Sequence, residues 1–121
     1  MDGFKVEAEV KGAQAVVTVA GEIDAATAPI LKQRLLALVD TGVERVVVDL
    51  REVTFIESVG LGTLVAARKR LAAGDRNLCL VIGDDQVKIR APFEITRLDD
   101  VFPIHPTLEA AIEDCLTEPA A

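Results

Sequence analysis

Arg45-Val46-Val47-Val48-Asp49-Leu50 reads as a strand without polar alternation. A few residues later, Phe55-Ile56-Glu57-Ser58-Val59-Gly60-Leu61-Gly62 leads into a long helical run. An apolar run of this kind suits a parallel strand covered on both faces. The segment after it places one hydroxyl, Ser58, at the start of a helix, with an acid before it and glycines after it. A helix start offers unpaired backbone N–H groups and a partial positive charge, so a phosphate or other anion is tolerated there. The plainer reading is that Ser58 only caps the helix, as serines often do.

Outward from this segment, strand and helix patterns alternate along the chain. Phe4, Val6, Ala8 and Val10 alternate with polar residues, as in a half-exposed strand. Lys11-Gly12-Ala13-Gln14 makes a turn, and residues 15–20 read as a more buried strand, the two forming an antiparallel pair at the sheet edge. Asp24 and Thr27 are candidate caps for a helix that carries Pro29 in its first turn and stops at Asp40-Thr41-Gly42. The helix after Ser58 ends at Gly74-Asp75, and residues 78–82 form another buried strand. Asp84-Asp85 opens a helical stretch that Pro92 is expected to kink or split. Residues 101–104 read as a short edge strand, and Thr107 opens a final helix, after which residues 118–121 fray. The sum is an α/β sandwich with a mostly parallel sheet of about five strands, one antiparallel edge, and helices mainly on one face. Folds of this kind place function at the carboxyl ends of strands. Asp24, Glu57 and Ser58 all fall there, which favours a functional Ser58.

Composition narrows the function classes. With 121 residues the chain is one domain, its ordered core expected over about residues 4–117, and with no Trp or Tyr that core is aliphatic. No apolar stretch approaches the roughly 18 residues needed to cross a bilayer. The N-terminus lacks a signal-peptide layout, so the expectation is a cytoplasmic protein without a membrane partner. A net charge of −7 argues against direct nucleic-acid binding. Arg68-Lys69-Arg70 reads as a solvated helix face. Cys79 and Cys115 do not have metal-ligand spacing; Cys79 reads as a small core residue and a disulfide is not expected in the cytosol. Neither a metal nor a cofactor is called for.

Four segments in order carry a family resemblance. Residues 17–24 look like a strand followed by Gly-Glu-Leu-Asp. Residues 46–50 look like Val-Val-Leu-Asp-Leu, and residues 55–62 are similar to Phe-Met-Asp-Ser-Ser-Gly-Leu-Gly. Residues 101–111 resemble a closing Val-Phe-Pro-Ile-His that leads into the last helix. The chain thus resembles the anti-sigma-factor antagonists, single STAS domains of bacteria. The resemblance implies a protein-binding switch rather than an enzyme. The antagonist binds an anti-sigma factor that is also a GHKL-type, ATP-dependent serine kinase, and so frees a sigma factor. The kinase phosphorylates the signature's first serine, matched here by Ser58, and a metal-dependent serine phosphatase of the PPM type reverses it. Asp24 matches an acid near the phosphorylation loop, so the implied partner surface is Asp24 together with Glu57, Ser58, Val59, Gly60, Leu61 and Gly62.

Three positions depart from the family pattern. Glu57 stands for Asp, lengthening the acid by one methylene. Val59 stands for a small or hydroxylated residue, and Arg97 for the usual Gly. The first two leave open a constitutive antagonist that is not phosphorylated. A STAS module of a lipid-transport or stress-sensing complex is the alternative within the family. Outside it, Ser58, Asp99 or Asp100, and His105 follow the chain order of an α/β-hydrolase triad, making a small serine esterase the remote alternative. Ile56 occupies the first Gly position of the required elbow, however. A phospho-acceptor role for Asp49 lacks the acidic pair and Lys of receiver domains, and Asp49 reads instead as a structural acid at a strand terminus. Gly60-Leu61-Gly62 is no P-loop, lacking Gly-Lys-Ser/Thr.

Overall fold

The structure, a computed structural model, describes residues 3–117, the side chains of residues 115–117 excepted. Five strands, β1 (Lys5–Lys11), β2 (Gln14–Ile23), β3 (Arg45–Ile56), β4 (Asn77–Val81) and β5 (Ile104–His105), form one sheet in sequential order. β1 pairs antiparallel with β2, and every other pairing is parallel. The helices are α1 (Ala28–Val39), α2 (Ser58–Ala72), α3 (Val87–Ile95) and α4 (Leu108–Thr117), with a 3-10 turn at Leu98–Asp100. This is the mixed α/β architecture the sequence pattern implies.

Two faces of the sheet bury different residues because strand side chains alternate. Ala15, Val17 and Val19 of β2, Val46, Val48 and Leu50 of β3, and Leu78 and Leu80 of β4 point to the main core. Leu31 and Leu35 of α1, Leu64 and Leu71 of α2, and Phe93 of α3 close it. Each of the Val, Leu and Phe side chains contributes about 1.5–3 kcal/mol by burial. On the other face α4 lies alone, packing Ala111, with Leu108 and Ile112, over Val47, Cys79 and Val81. Thr107 caps α4 by accepting a bond from the Ala110 N–H at 3.1 Å.

Several elements differ from expectation, each for a local reason. β3 does not stop at Leu50 but runs on to Ile56, because two register shifts against β2, between Thr18 and Ala20 and between Gly21 and Glu22, change its periodicity. Beyond the first shift the buried positions are Leu50, Val53 and Ile56, a spacing that no longer reads as a strand. Asp49 therefore lies within β3 rather than at a terminus. It is 5% exposed and grips Arg51 through Nε–Oδ1 and Nη2–Oδ2 contacts of 3.0 and 2.7 Å. The hydrogen bond to Asp49 raises the Arg51 pKa above its ordinary value, outweighing desolvation. Pro92 sits inside α3 without splitting it. Residues 101–102 are not strand, since Val101 and Phe102 both bond back to the Leu98 carbonyl; Phe102 turns inward, edge-on to Phe93 at 6.3 Å. Cys79 is not a lone core thiol but is disulfide-bonded. The chain folds α4 back over β4, a proximity that spacing in sequence hides. The expected fraying of residues 118–121 lies outside the described residues.

Arg97 departs from the family's Gly at a position where the backbone demands one: its φ is +64°, in the left-handed region. A side chain there costs about 1–2 kcal/mol, partly offset by the roughly 0.4–1 kcal/mol that glycine adds to unfolded-chain entropy. Arg97→Gly is therefore expected to stabilise the fold by up to about 1 kcal/mol, read as a higher urea midpoint at unchanged slope.

Candidate functional site

β2 and β3 end side by side, Ile23 in register with Ile56. One residue farther on, the Glu57 N–H donates to the Ile23 carbonyl at 2.9 Å. That bond ties the turn before Ser58 to the turn that begins at Asp24, so two segments more than thirty residues apart in sequence meet at one rim of the sheet.

Glu57 rather than Ser58 occupies the N-cap position of α2. Its backbone is extended (φ −93°, ψ 167°), and no side chain bonds the free N–H groups of the first turn. The Glu57 carbonyl accepts from Gly60 N at 2.9 Å and Leu61 N at 3.4 Å. Ser58 is the first helical residue. Its side chain is exposed, and its hydroxyl has no hydrogen-bond partner among the described residues. The capping explanation for this serine therefore fails, and its hydroxyl faces solvent beside the positive end of a helix of 15 residues.

Asp24 does structural work that its position alone does not reveal. One carboxylate oxygen, Oδ1, accepts from the Ala26 and Thr27 N–H groups at 3.0 and 3.1 Å. Thr27, 4% exposed, donates its hydroxyl to the Glu22 carbonyl at 2.7 Å and accepts from the Asp24 N–H at 2.9 Å. This closed set of bonds fixes the β2–α1 turn and leaves Asp24 half-buried; Thr27 takes the N-cap position of α1, but neither candidate cap bonds an N–H of the helix with its side chain, because both are spent on the turn before it. Beside it lies a cleft of about 420 Å³ lined by Phe4, Gly21, Glu22, Asp24, Thr27 and Thr54.

The remaining residues of the turn divide into two groups. Glu57, Val59 and Gly62 are exposed, with Val59 at 42%. Gly60 and Leu61 are buried and shape the rim from beneath. A Cβ on Gly60 would meet Ile23 Cγ2 at 2.6 Å and Ile56 Cγ1 at 2.9 Å, whereas one on Gly62 would meet nothing within 4 Å. The two glycines of the motif thus have different origins: one is forced by packing and the other is not.

Gln86 was not among the residues singled out in the sequence. Its carboxamide accepts from the Gly83 N–H at 2.7 Å and donates to the carbonyls of Leu50 and Val53 at 3.0 and 3.3 Å. It thereby pairs backbone groups of β3 beyond the point where β4 ends. No local pattern flags a glutamine whose partners lie 33 and 36 residues away.

His105 is on β5, its Nε2 2.9 Å from Asp114 Oδ2. The Ser–His hydrogen bond an acyl-transfer triad requires is not formed among the described residues. Asp49, held by Arg51, does not present a free carboxylate. No group of His, Cys, Asp and Glu among the described residues is arranged to hold a metal ion, and no described helix is long and apolar enough to cross a membrane.

Comparison with known proteins gives the family and agrees with the fold. The STAS domain model matches residues 5–111. An anti-sigma-B factor antagonist of Staphylococcus epidermidis is 35% identical over 89 residues, covering 74% of this chain and 81% of the relative. The crystal structure of an anti-sigma factor antagonist from Mycobacterium paratuberculosis aligns with a TM-score of 0.87 at 35% identity, over 95% of this chain and 96% of that one. The Bacillus cell fate determinant SpoIIAA in its phosphorylated form aligns with a TM-score of 0.68 over 91% of this chain and 96% of that one. At 21% identity that last likeness is one of fold.

The contrast between the two glycines is testable. Gly60→Ala is expected to destabilise by about 1–3 kcal/mol through overpacking against Ile23 and Ile56. Gly62→Ala should stabilise by up to about 1 kcal/mol, because alanine favours a helix interior. Chemical denaturation of both variants gives opposite signs if α2 is seated as described.

Proposed function

From the premise that the chain belongs to the STAS domain family, we propose that it is an anti-sigma-factor antagonist, binding an anti-sigma factor through the rim formed by Asp24, Glu57, Ser58, Val59 and Gly62. Relatives at 35% identity carry that description. The observation that carries the reading for this chain is the Ser58 hydroxyl: exposed, unbonded, first in α2, and joined to the Asp24 turn through the Glu57–Ile23 bond. Gly60 and Leu61 contribute by seating the helix rather than by touching the partner. The role is one of binding, without catalysis by this chain, in the cytoplasm. Reducing conditions there favour opening the Cys79 disulfide, and α4 keeps its apolar seat on Val47 and Val81.

The partner in this reading is an anti-sigma factor with GHKL-type serine kinase activity, and Ser58 is its substrate, with a PPM-type phosphatase restoring the free hydroxyl. A phosphate adds about −1.5 to −2 charges. The first-turn N–H groups of Ser58 and Val59 and the helix dipole favour an anion at that point, so the fold tolerates the change. The surface does not stay the same: the new charge joins exposed Glu57 and half-buried Asp24, facing a partner that holds nucleotide phosphates. Like charges brought together across an interface cost several kcal/mol, enough to release the partner.

Glu57 and Val59 do not obstruct this mechanism. Both point to solvent, and the Glu57 carboxylate makes no capping bond that a shorter acid would be needed to form. Incubation with each purified GHKL-type anti-sigma kinase of the source genome and ATP, followed by intact-mass analysis, tests the reading. One phosphate is expected on the wild type and none on Ser58→Ala, while Ser58→Asp should weaken binding to the kinase at least about tenfold, or 1.4 kcal/mol. Tight binding without phosphate transfer would leave an antagonist that is not switched at Ser58. Failure to bind any anti-sigma factor would sink the proposal.

A further inference from the structure

α4 lies alone on its face of the sheet and does not cover all of it. It packs over β3 and β4 through Val47, Cys79 and Val81, which leaves the outer side of β1 and β2 beside it. Between α4 and the edge strand runs a groove of about 320 Å³. Half-buried Leu108 and Ile112 of α4 form one wall, and Val16 of β2 is the apolar part of the floor. Ligand sites span roughly 300–1,000 Å³ and combine an apolar lining with a few polar groups, so this groove has the size and the character of a small one.

The polar groups on its floor lack partners. Gln14 Oε1 is buried with no hydrogen-bond donor, and the Thr18 hydroxyl bonds nothing among the described residues. A buried acceptor without a donor is costly. Gln14 as a whole is only half-buried, and a half-turn about its soft terminal torsion exchanges Oε1 with Nε2, bringing the acceptor to the accessible side. The wall opposite α4 belongs to β1 and is acidic over most of its length. Glu7, Glu9 and Lys11 line it, all exposed. Lys11 stands across from Gln14 and keeps 3.9 Å from Glu9. Glu7 stands across from Thr18 and forms no ion pair among the described residues.

We propose that this groove binds a small organic cation, a protonated amine on an apolar ring or chain that carries a second N–H. The ammonium is received at the acidic end by Glu7 and Glu9, the apolar body lies along Val16, Leu108 and Ile112, and the second N–H meets the Gln14 oxygen. An anion is disfavoured, because Lys11 is the one cation in the lining and already faces Glu9. The net charge of the chain, −7, favours a cation as well. An occupant bridges α4 to the edge strand. α2 packs on the opposite face of the sheet, so this site is separate from the Ser58 turn and does not depend on the antagonist reading.

Amide NMR titration of the folded chain tests this, with tryptamine as the amine and indolepropionate as an acid of matching body. Tryptamine is expected to give saturable shifts at residues 14–18 and 108–112 at millimolar concentration or below, while the acid leaves them unmoved. Glu7→Lys should weaken tryptamine binding about tenfold. Glu94→Lys on α3, a control for net charge on the other side of the sheet, should change it by less than about twofold. Both replaced side chains are exposed, and thermal melting confirms that each variant folds. The proposal is overturned by the absence of saturable shifts up to about 10 mM, by shifts confined to other residues, by equal binding of the acid, or by unchanged affinity of Glu7→Lys. Broadening of the same amides with protein concentration alone assigns the groove to a second copy of the chain and overturns it too.

Discussion

The rim that carries Ser58 depends on how closely α2 approaches the sheet. At Gly60 the helix presses so near Ile23 of β2 and Ile56 of β3 that there is no room for a methyl group. This contact fixes several things together. It sets α2 directly over the ends of two parallel strands, so the helix begins one residue after Glu57 closes on Ile23. It buries Gly60 and Leu61 while leaving Ser58 and Val59 on the outside of the first turn. It also explains why an unbonded serine persists there: with the helix anchored by packing, the N-terminus needs no capping side chain to hold its position.

The same rim shows how the sheet and its connections cooperate. β3 outruns β4 by seven residues, from Leu50 to Ile56, and would leave backbone carbonyls unpaired along that side. Gln86 supplies donors to two of them and accepts the Gly83 N–H in return. Unpaired buried backbone groups are costly, so one carboxamide supports the strand extension that carries the turn outward. On the opposite side Thr27 and Asp24 fix the β2–α1 turn in the same manner. Polar side chains thus hold the rim in place while apolar ones hold it to the core.

Much of this was legible in the chain, and the illegible parts share a cause. Periodicity located all five strands and four helices, because burial on one or both faces writes itself into residue spacing. It fails where geometry changes the period: beyond Leu50 the register shifts of β3 replace alternation by steps of three. The closing strand begins later than its apolar pattern suggests, because Phe102, apolar like a strand residue, turns instead into the core against Phe93. The positions of Ser58 and Asp24 just after strand ends are legible in the sequence, and the structure places both there. Which oxygen of Asp24 is already engaged, and that Glu57 takes the cap position, depend on backbone angles that residue types do not encode. Gln86 leaves no signal in the sequence because it joins elements separated by a whole crossover, and spacing along a chain carries no record of that proximity.

The departures from the family motif can be weighed on the same physical basis. A longer acid at position 57 matters only if the acid bonds something, and the Glu57 side chain makes no such bond in the cap. A β-branched residue at position 59 matters if it crowds the helix or the rim, yet Val59 keeps 42% of its surface exposed. Its cost is the small helix-propensity loss of a stiff side chain. Both changes therefore alter only the exposed surface, adding reach to a charge and apolar area beside the hydroxyl, and neither alters how the rim is built. Under the proposed antagonist reading, variation at these two positions would bear on recognition. The invariance a working rim requires falls instead on Gly60, whose hydrogen leaves the only space that Ile23 and Ile56 allow.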